Sequence, residues 1–301
     1  MVEVWIVGLR GVQYAAGALL LGLPAFMLYS ARAIEPLNLR WPRPALIGAA
    51  AVLALAAPAA LLAQTAMMAG SLSEAIKPAS LGFMLTGMGL GRALVVRTLA
   101  AVLALAAALL LRPGRRMWSV LTLLGLAISA SFAWTGHGAA TEGAGHATHL
   151  VSDIVHAVAA SVWIGALAAF AILILQRPSG DPAWDGGIGR SLTGFAGVGA
   201  AAVGALVVSG LINSAYLVGW AKVSSLPASP YGVLLMIKLA LFGLMVVLAA
   251  IHRFRLAPLM ARDARRAMPA LKKSLMAEFI LALAILAVIA VMGTLPPPAA
   301  L

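Results

Sequence analysis

Long apolar runs alternate with short polar segments along the whole chain. A membrane-spanning helix needs about 20 mainly apolar residues, and eight runs reach that length. They are Val4–Ala31, Arg43–Ala69, Leu90–Leu111, Met117–Thr135, Thr148–Gln176, Ile188–Gly219, Tyr231–His252 and Leu271–Leu295. The pattern predicts an all-α fold, a polytopic membrane bundle of eight transmembrane helices.

The segment Ser71–Gly89, between the second and third runs, follows a different pattern. It is moderately apolar but interrupted by Glu74, Lys77 and Pro78. We expect a short interfacial or re-entrant piece here, with an ordinary loop as the alternative.

Composition supports a membrane protein. The chain is 63% hydrophobic and 10% charged, with a mean hydropathy of +1.03, whereas soluble domains carry roughly a quarter charged residues. The net charge of +12 does not indicate a nucleic-acid partner, because the basic residues lie in short gaps between apolar runs, where they report topology in a lipid bilayer. The start of the chain lacks a basic n-region, so we expect the first run to remain as a helix.

The distribution of lysine and arginine predicts the orientation. Fifteen of them lie in the gaps after the first, third, fifth and seventh runs, and three lie in the alternate gaps. Basic loops stay on the cytoplasmic side. The sequence therefore predicts that both termini are periplasmic.

The two halves of the chain share spacings. In the third and seventh runs a glycine precedes a basic residue by six positions, and in the first and fifth runs two polar residues and a glycine recur at equal intervals. The residues are Gly91 and Arg97, Gly232 and Lys238, and the triplets Arg10, Gln13, Gly22 and Asp153, His156, Gly165. This predicts a parallel 4+4 tandem repeat within a single membrane domain, 1–301, although alanine-rich helices also produce chance matches. Its parts are a first half (1–136), a histidine-containing periplasmic loop (137–147) and a second half (148–301).

Polar residues inside the runs form a layer. At a rise of 1.5 Å per residue they lie about 8 to 12 Å below the periplasmic surface. The layer comprises Arg10, Gln13, Gln64, Arg97, Asp153, His156, Asn213 and Lys238. Snorkelling explains a long cation, and hydrogen bonds between helices explain some amides, but Asp153, His156 and Asn213 are too short to snorkel. We therefore expect an outward-facing polar cavity, with Glu278 lying apart, nearer the cytoplasm.

Histidines cluster around the start of the fifth run. Four of the five histidines fall within twenty residues: His137, His146, His149 and His156. The first two lie in the predicted loop, and His149, Asp153 and His156 share one helix face, which Trp163 continues. Two imidazoles and a carboxylate predict a transition-metal site for Cu, Zn, Ni or Fe. Asp153 is alternatively a partner that sets a histidine tautomer, or the buried histidine only bonds a neighbouring helix.

Methionine is the other soft ligand available, because the chain has no cysteine. Met67 and Met68 end the second run, and Met84 and Met88 are spaced i, i+4 in the following segment. Thioethers favour Cu(I), although methionine is also a common filler of apolar cores. No nucleophile elbow or phosphate-binding loop occurs, so we expect no enzyme activity.

Several stretches resemble a known family. The sequence HLVSDIVHAVAASVWIGAL (149–167) resembles the D-x-x-H-x6-W-x-G signature of the bacterial copper-resistance membrane proteins called CopD. The stretches VSGLINSAYLVG (208–219), YGVLLMIKLALF (231–242), RFRLAP (253–258) and VMGTLPPP (291–298) are similar to the same family, in the same order.

The resemblance implies an inner-membrane protein of copper homeostasis with eight spans. It would bind copper, as Cu(I) or Cu(II), on the periplasmic side and transport or deliver it across the membrane beside a separate periplasmic copper-binding protein of the CopC type. The family's histidine, aspartate and tryptophan correspond to His156, Asp153 and Trp163. His252 departs from the family pattern, where asparagine is expected; it is an exit ligand or a surface residue.

Two other functions stay open at this point. Histidines in a helical bundle also fit a redox protein that binds haem b or quinone, although no pair of deep histidines on separate helices is evident. An assembly factor that delivers copper to an oxidase fits equally well. One feature opposes simple copper conduction, since the polar layer has three cations, Arg10, Arg97 and Lys238, against one acid, Asp153.

Overall fold

The computed structural model describes residues 2–136 and 143–300, which form helices and connecting turns without any strand. Within these two ranges, eight helices are long and apolar enough to cross a membrane, which confirms the predicted all-α architecture. They are α1 (Val2–Tyr29), α2 (Pro42–Ala69), α3 (Gly89–Leu110), α4 (Arg115–Ser131), α5 (His146–Gln176), α6 (Pro182–Leu217), α7 (Pro230–Ile251) and α8 (Ala264–Met292).

The helices begin before the predicted apolar runs, most clearly α6 and α8. For α6 and α8 an aspartate precedes the helix, and the side chains of Asp181 and Asp263 accept hydrogen bonds from backbone N–H groups of the first turn. Such caps extend a helix into polar sequence, whereas hydropathy marks only its membrane part. Helix α5 begins at His146, so this residue lies on the first helical turn rather than in the loop.

The segment between α2 and α3 is helical rather than an ordinary loop. It contains two short helices, Leu72–Ala75 and Pro78–Gly82, and a π-helical turn, Phe83–Gly87. A Cβ placed on Gly91 would lie 2.0 Å from the backbone oxygen of Met84. The π-helical turn therefore packs directly on the backbone of the first turn of α3.

Helices α1 and α5 form the centre of the bundle. Helix α1 packs against α2, α4, α5 and α8, and α5 packs in addition against α4, α6 and α8. In the most apolar stretch of α5, 72% of the residues are buried inside the protein. The corresponding shares are 17% for α6 and 11% for α7. The outer surfaces of α6 and α7 are therefore available to lipid.

Both ends of the described chain lie on one side of the bundle. A Cβ placed on Gly293, just after α8, would lie 2.1 Å from Arg10 Nη1 in α1. We call this the terminal side and the opposite one the basic side. On the basic side, Arg43 donates hydrogen bonds to the backbone oxygens of Ala108 (2.9 Å) and Leu109 (2.7 Å), where a cation also complements the dipole of α3. The periplasmic location of the terminal side stays a prediction.

Glycines at equivalent positions of the two halves make similar close contacts. Gly22 of α1 and Gly165 of α5 touch each other, and a Cβ on either would lie within 2.5 Å of the other's Cα. A Cβ on Gly91 or on Gly232 would lie 2.0 Å from a backbone oxygen of the segment that precedes its helix. These contacts agree with the tandem repeat, which itself stays a prediction.

Candidate functional site

The polar layer divides into two clusters, one in each half of the chain. The first surrounds a small cavity of about 20 Å³, lined by Arg10, Gln13, Gln64 and Arg97 among others. The second surrounds a cavity of about 230 Å³, lined by Asp153, His156, Asn213 and Lys238 among others. We call the second one the outer cavity. Neither Arg10 nor Arg97 lines it, so two of the three cations lie apart from the predicted metal-binding residues.

Arg97 binds neighbouring helices. Its side chain is 1% exposed; Nη1 donates to Gln13 Oε1 at 2.7 Å, and Nε and Nη2 donate to Ser131 Oγ and O, each at 2.9 Å. Its Cζ also lies 4.2 Å from the centre of the Phe132 ring, a favourable position for a cation. Arg10 Nη2 donates to the backbone oxygen of Thr135, in the turn that follows α4, at 3.0 Å. Both cations thus hold α1, α3 and α4 together.

The polar face of α5 is directed at α6. Asn213 Nδ2 donates to Asp153 Oδ1 at 2.6 Å, and one turn further Ser209 Oγ lies 3.0 Å from His156 Nδ1. The Ser209 hydroxyl donates its single hydrogen to the backbone oxygen of Ala205 at 2.5 Å. With that hydrogen used, the hydroxyl oxygen can accept a hydrogen bond from His156 Nδ1–H, which would leave the Nε2 lone pair available.

Two described histidines precede His156 on α5 and lie nearer the terminal side. His149 is fully buried, and its ring stacks on Tyr216 of α6 with centres 4.7 Å apart. His146 is exposed on the first turn of α5, and His137 lies outside the described residues. Across the ranges 2–136 and 143–300, no three histidine or acidic side chains gather where they would hold a metal ion. The predicted face exists, but its three residues contact successive turns of α6, at Tyr216, Asn213 and Ser209.

Helix α7 closes the outer cavity with Tyr231 and Lys238, and α1 contributes Tyr14. Among the lining residues, the acid Asp153 is matched by one fixed cation, Lys238. Within the lining of this cavity, the acid therefore faces one cation rather than the three that the sequence indicated for the whole layer. Sequence reasoning missed the two tyrosines, since a single hydroxyl in an apolar run has no distinctive spacing.

The four predicted methionines lie away from the outer cavity. Met67 and Met68 are about half exposed at the end of α2, Met84 is buried in the π-helical turn, and Met88 directly precedes α3. None of them lines the outer cavity, whereas Met292 of α8 does. Sequence reasoning missed Met292, since an isolated methionine in an apolar helix gives no signal.

A second buried polar group lies toward the basic side. Trp163 Nε1 donates to Glu278 Oε1 at 3.1 Å, His252 Nδ1 lies 3.0 Å from Glu278 Oε2, and His252 Nε2 lies 2.7 Å from Ser274 Oγ. Glu278 is 1% exposed and His252 is 5% exposed. The interpretation of His252 as a surface residue is therefore wrong, because its ring is enclosed by α7 and α8.

Comparison with known proteins identifies the family to which the chain is similar. Residues 1–147 match the family described as Copper resistance protein D-like, N-terminal domain, and residues 189–292 match Copper resistance protein D. The chain is 36% identical to Copper resistance protein D of Pseudomonas syringae pv. tomato, covering 97% of this chain and 96% of that protein.

Two further relatives agree. Copper transport protein CutJ of Bacillus subtilis (strain 168) is 28% identical, over 96% of this chain and 52% of that longer protein. Inner membrane protein YebZ of Escherichia coli (strain K12) is 28% identical, over 61% of each. No solved structure matches. The eight apolar helices and these relatives indicate a multi-pass inner-membrane protein, and the near full-length identity shows that the chain belongs to the copper resistance protein D family.

Proposed function

We propose that the protein serves copper homeostasis by binding copper in the outer cavity and transporting or delivering it across the inner membrane. The terminal side, predicted to be periplasmic, is the side from which copper enters. Relatives named for copper resistance and copper transport support this assignment. The side chains that line the outer cavity indicate which residues would bind the copper.

One observation carries the proposal: Ser209 Oγ lies 3.0 Å from His156 Nδ1 and so orients the imidazole. With Nδ1–H donating to the Ser209 hydroxyl, the lone pair of Nε2 is available to a metal ion, and an oriented imidazole is a stronger ligand. Asp153 supplies carboxylate oxygens, and Asn213 adds an amide oxygen that accepts no hydrogen bond from the described residues. The thioether of Met292 lines the same cavity and suits Cu(I).

Capture would begin on the terminal side. His146 is exposed on the first turn of α5, and the buried His149 follows it on the same helix. Together with His137 these residues would receive copper and pass it inward to His156 and Asp153. A periplasmic copper-binding protein of the CopC type, docking on the terminal side, is the expected donor.

The methionines of the first half would form a separate branch for Cu(I). Met67 and Met68 are accessible on α2, and Met84 and Met88 follow in the short helical segment. This branch would lie in the first half, away from the outer cavity.

Lys238 sets the charge of the outer cavity. Its ammonium group lines the same space as Asp153 and balances the carboxylate when copper is absent. An arriving copper ion competes with that ammonium for the negative charge. Lys238 therefore keeps the empty cavity neutral and lowers the affinity of the site for copper.

The copper affinity of the purified protein tests the proposal. We expect Asp153→Asn and His156→Ala each to lower copper affinity about tenfold or more, equivalent to 1.4 kcal/mol. The matched control is Asp181→Asn, at the partly exposed cap of α6, where asparagine still caps the helix. If both variants bind copper as the wild type does, the site is wrong. A Soret band in the purified protein would favour the haem-binding alternative.

Reconstitution into vesicles separates transport from delivery. A transporter accumulates copper inside vesicles that contain this protein alone. A delivery factor binds copper equally well but releases it only to an acceptor protein.

A further inference from the structure

The cavities of the second half continue along α5 toward the basic side. A space of about 520 Å³ shares His156 and Lys238 with the outer cavity and extends to Trp163. A further space of about 420 Å³ extends from Trp163 to His252 and Glu278, and we call it the inner cavity. Because Trp163 lines both spaces, the inner cavity is the next one along α5 after the copper-binding end.

Glu278 lines the inner cavity and has one carboxylate oxygen without a hydrogen bond. The residue is 1% exposed and lies within the membrane-spanning helix α8. Its Oε1 accepts a hydrogen bond from Trp163 Nε1 at 3.1 Å, whereas Oε2 accepts none from the described residues. No arginine or lysine of the described chain forms an ion pair with it. A buried carboxylate is costly inside a membrane unless a cation compensates its charge, so Oε2 is suited to bind one.

His252 lies beside that oxygen without bonding it. Its Nδ1 is 3.0 Å from Glu278 Oε2, yet Oε2 accepts no hydrogen bond, so the two atoms are close but lack the alignment that a hydrogen bond requires. The other ring nitrogen, Nε2, lies 2.7 Å from Ser274 Oγ. The serine hydroxyl can accept a hydrogen bond from Nε2–H, which would leave the Nδ1 lone pair available.

The separation of these two atoms suits two ligands of one metal ion. Nitrogen and oxygen ligands lie about 2.0–2.2 Å from Zn²⁺. At such distances, ligands that are 3.0 Å apart subtend an angle of about 90° at the ion. The ion then lies beside the line that joins the two atoms, whereas a hydrogen bond needs its hydrogen close to that line. Nitrogen and oxygen ligands at right angles are typical of tetragonal Cu(II).

Both ligand groups are held through their other atoms. Trp163 Nε1–H fixes Glu278 Oε1, and Ser274 contacts His252 Nε2. Metal-binding histidines and carboxylates commonly have such partners, which orient them toward the ion. His252 also begins a π-helical turn, His252–Leu256, and turns of this kind occur frequently at functional sites.

The rest of the inner cavity determines which ion fits. Within the ranges 2–136 and 143–300, no third histidine or acidic side chain joins the pair, and no methionine is among the described residues that line the cavity. Nitrogen and oxygen ligands without a thioether favour Cu(II) over Cu(I). Two protein ligands, with water in the remaining positions, hold an ion weakly enough to release it. Arg253 and Phe254 line the same cavity and are exposed, so the cavity reaches the protein surface near the basic side.

We propose that His252 Nδ1 and Glu278 Oε2 bind a divalent transition-metal ion, Cu(II) in the working protein, as a second metal site toward the basic side. Its use as a station for copper that leaves the outer cavity rests on the proposed function, whereas binding of the ion does not. Trp163 borders both spaces and orients Glu278, so it connects the second site to the copper path.

Electron paramagnetic resonance of Cu(II) tests the site in the purified, full-length protein. The His156→Ala variant weakens the outer site and serves as the background. We expect it to bind Cu(II) with a tetragonal signal coupled to a histidine nitrogen. Adding Glu278→Gln or His252→Asn should remove that component and lower Cu(II) affinity about tenfold or more. Glutamine can still accept the hydrogen bond from Trp163, and asparagine is the residue expected from the family pattern, so at least one of the two variants should fold.

The matched control in the same background is Glu74→Gln, which removes an exposed glutamate paired with Lys77 and should leave the signal unchanged. An unchanged signal and affinity in Glu278→Gln and His252→Asn would overturn the second site. Loss in His252→Asn but not in folded Glu278→Gln would overturn the pairing of the two ligands. The proposed function fails separately, if Asp153→Asn and His156→Ala alone bind copper as the wild type does.

Copper uptake into vesicles tests the use of the site as a station. Glu278→Gln should fill the outer cavity normally but accumulate copper about tenfold more slowly, because one intermediate binding step is lost. Glu74→Gln should accumulate copper at the wild-type rate. Wild-type uptake by Glu278→Gln would show that copper does not pass through the second site.

Discussion

Gly22 and Gly165 bring the two central helices into backbone contact. A Cβ placed on Gly165 would lie 2.4 Å from Gly22 Cα, and one placed on Gly22 would lie 2.5 Å from Gly165 Cα. Close approach through small residues is a common way to pack membrane helices. Because α1 belongs to the first half and α5 to the second, this crossing sets the spacing between the two polar clusters.

We expect Gly22→Ala to destabilise the protein by about 1–3 kcal/mol, because an added methyl group forces α1 and α5 apart. Gly8→Ala on the same helix is the matched control, since a Cβ there meets nothing within 4 Å. Thermal unfolding in detergent measures both. Equal midpoints for the two variants would show that the crossing tolerates a side chain.

Arg97→Leu should cost about 2–4 kcal/mol of stability, because it leaves Gln13 and Ser131 buried without their donor. Arg92→Leu, which removes an exposed arginine of the same helix, is the control and should have little effect. Copper affinity should be unchanged in folded Arg97→Leu protein. A selective loss of copper would place Arg97 in the metal path instead.

Lys238→Met should raise copper affinity about tenfold, because it removes the cation that competes for Asp153. Lys238→Arg keeps the charge and should bind copper as the wild type does. Competition with a chelator of known affinity measures the difference. Weaker binding in Lys238→Met would mean that the ammonium group supports the site rather than limits it.

Ser209→Ala should lower copper affinity about 10- to 100-fold, because loss of a partner that orients a ligating histidine has effects of this size. Ser214→Ala is the control: that hydroxyl lines the same cavity but donates to the Gly210 backbone oxygen. The same chelator competition applies. Identical affinities in the two serine variants would contradict the assigned tautomer of His156.

The pair of Glu278 and His252 shows where sequence reasoning stops. The sequence singles out each residue separately: Glu278 lies apart from the polar layer, and His252 departs from the family pattern. They lie on different helices, and no helical spacing connects residues across such an interval. Only the packing of α8 against the end of α7 reveals that they share one environment.

The eight spans can be read from the sequence alone, because about 20 apolar residues are needed to cross the membrane. The shared face of His149, Asp153 and His156 can be read from it as well, because helical periodicity depends on spacing alone. The tertiary structure decided which groups meet. It turned Arg97 toward Gln13 and Ser131, left Lys238 beside the outer cavity and set Ser209 against His156. The physical reason is that hydropathy reports the depth of a residue, whereas its partner depends on how each helix is rotated and packed.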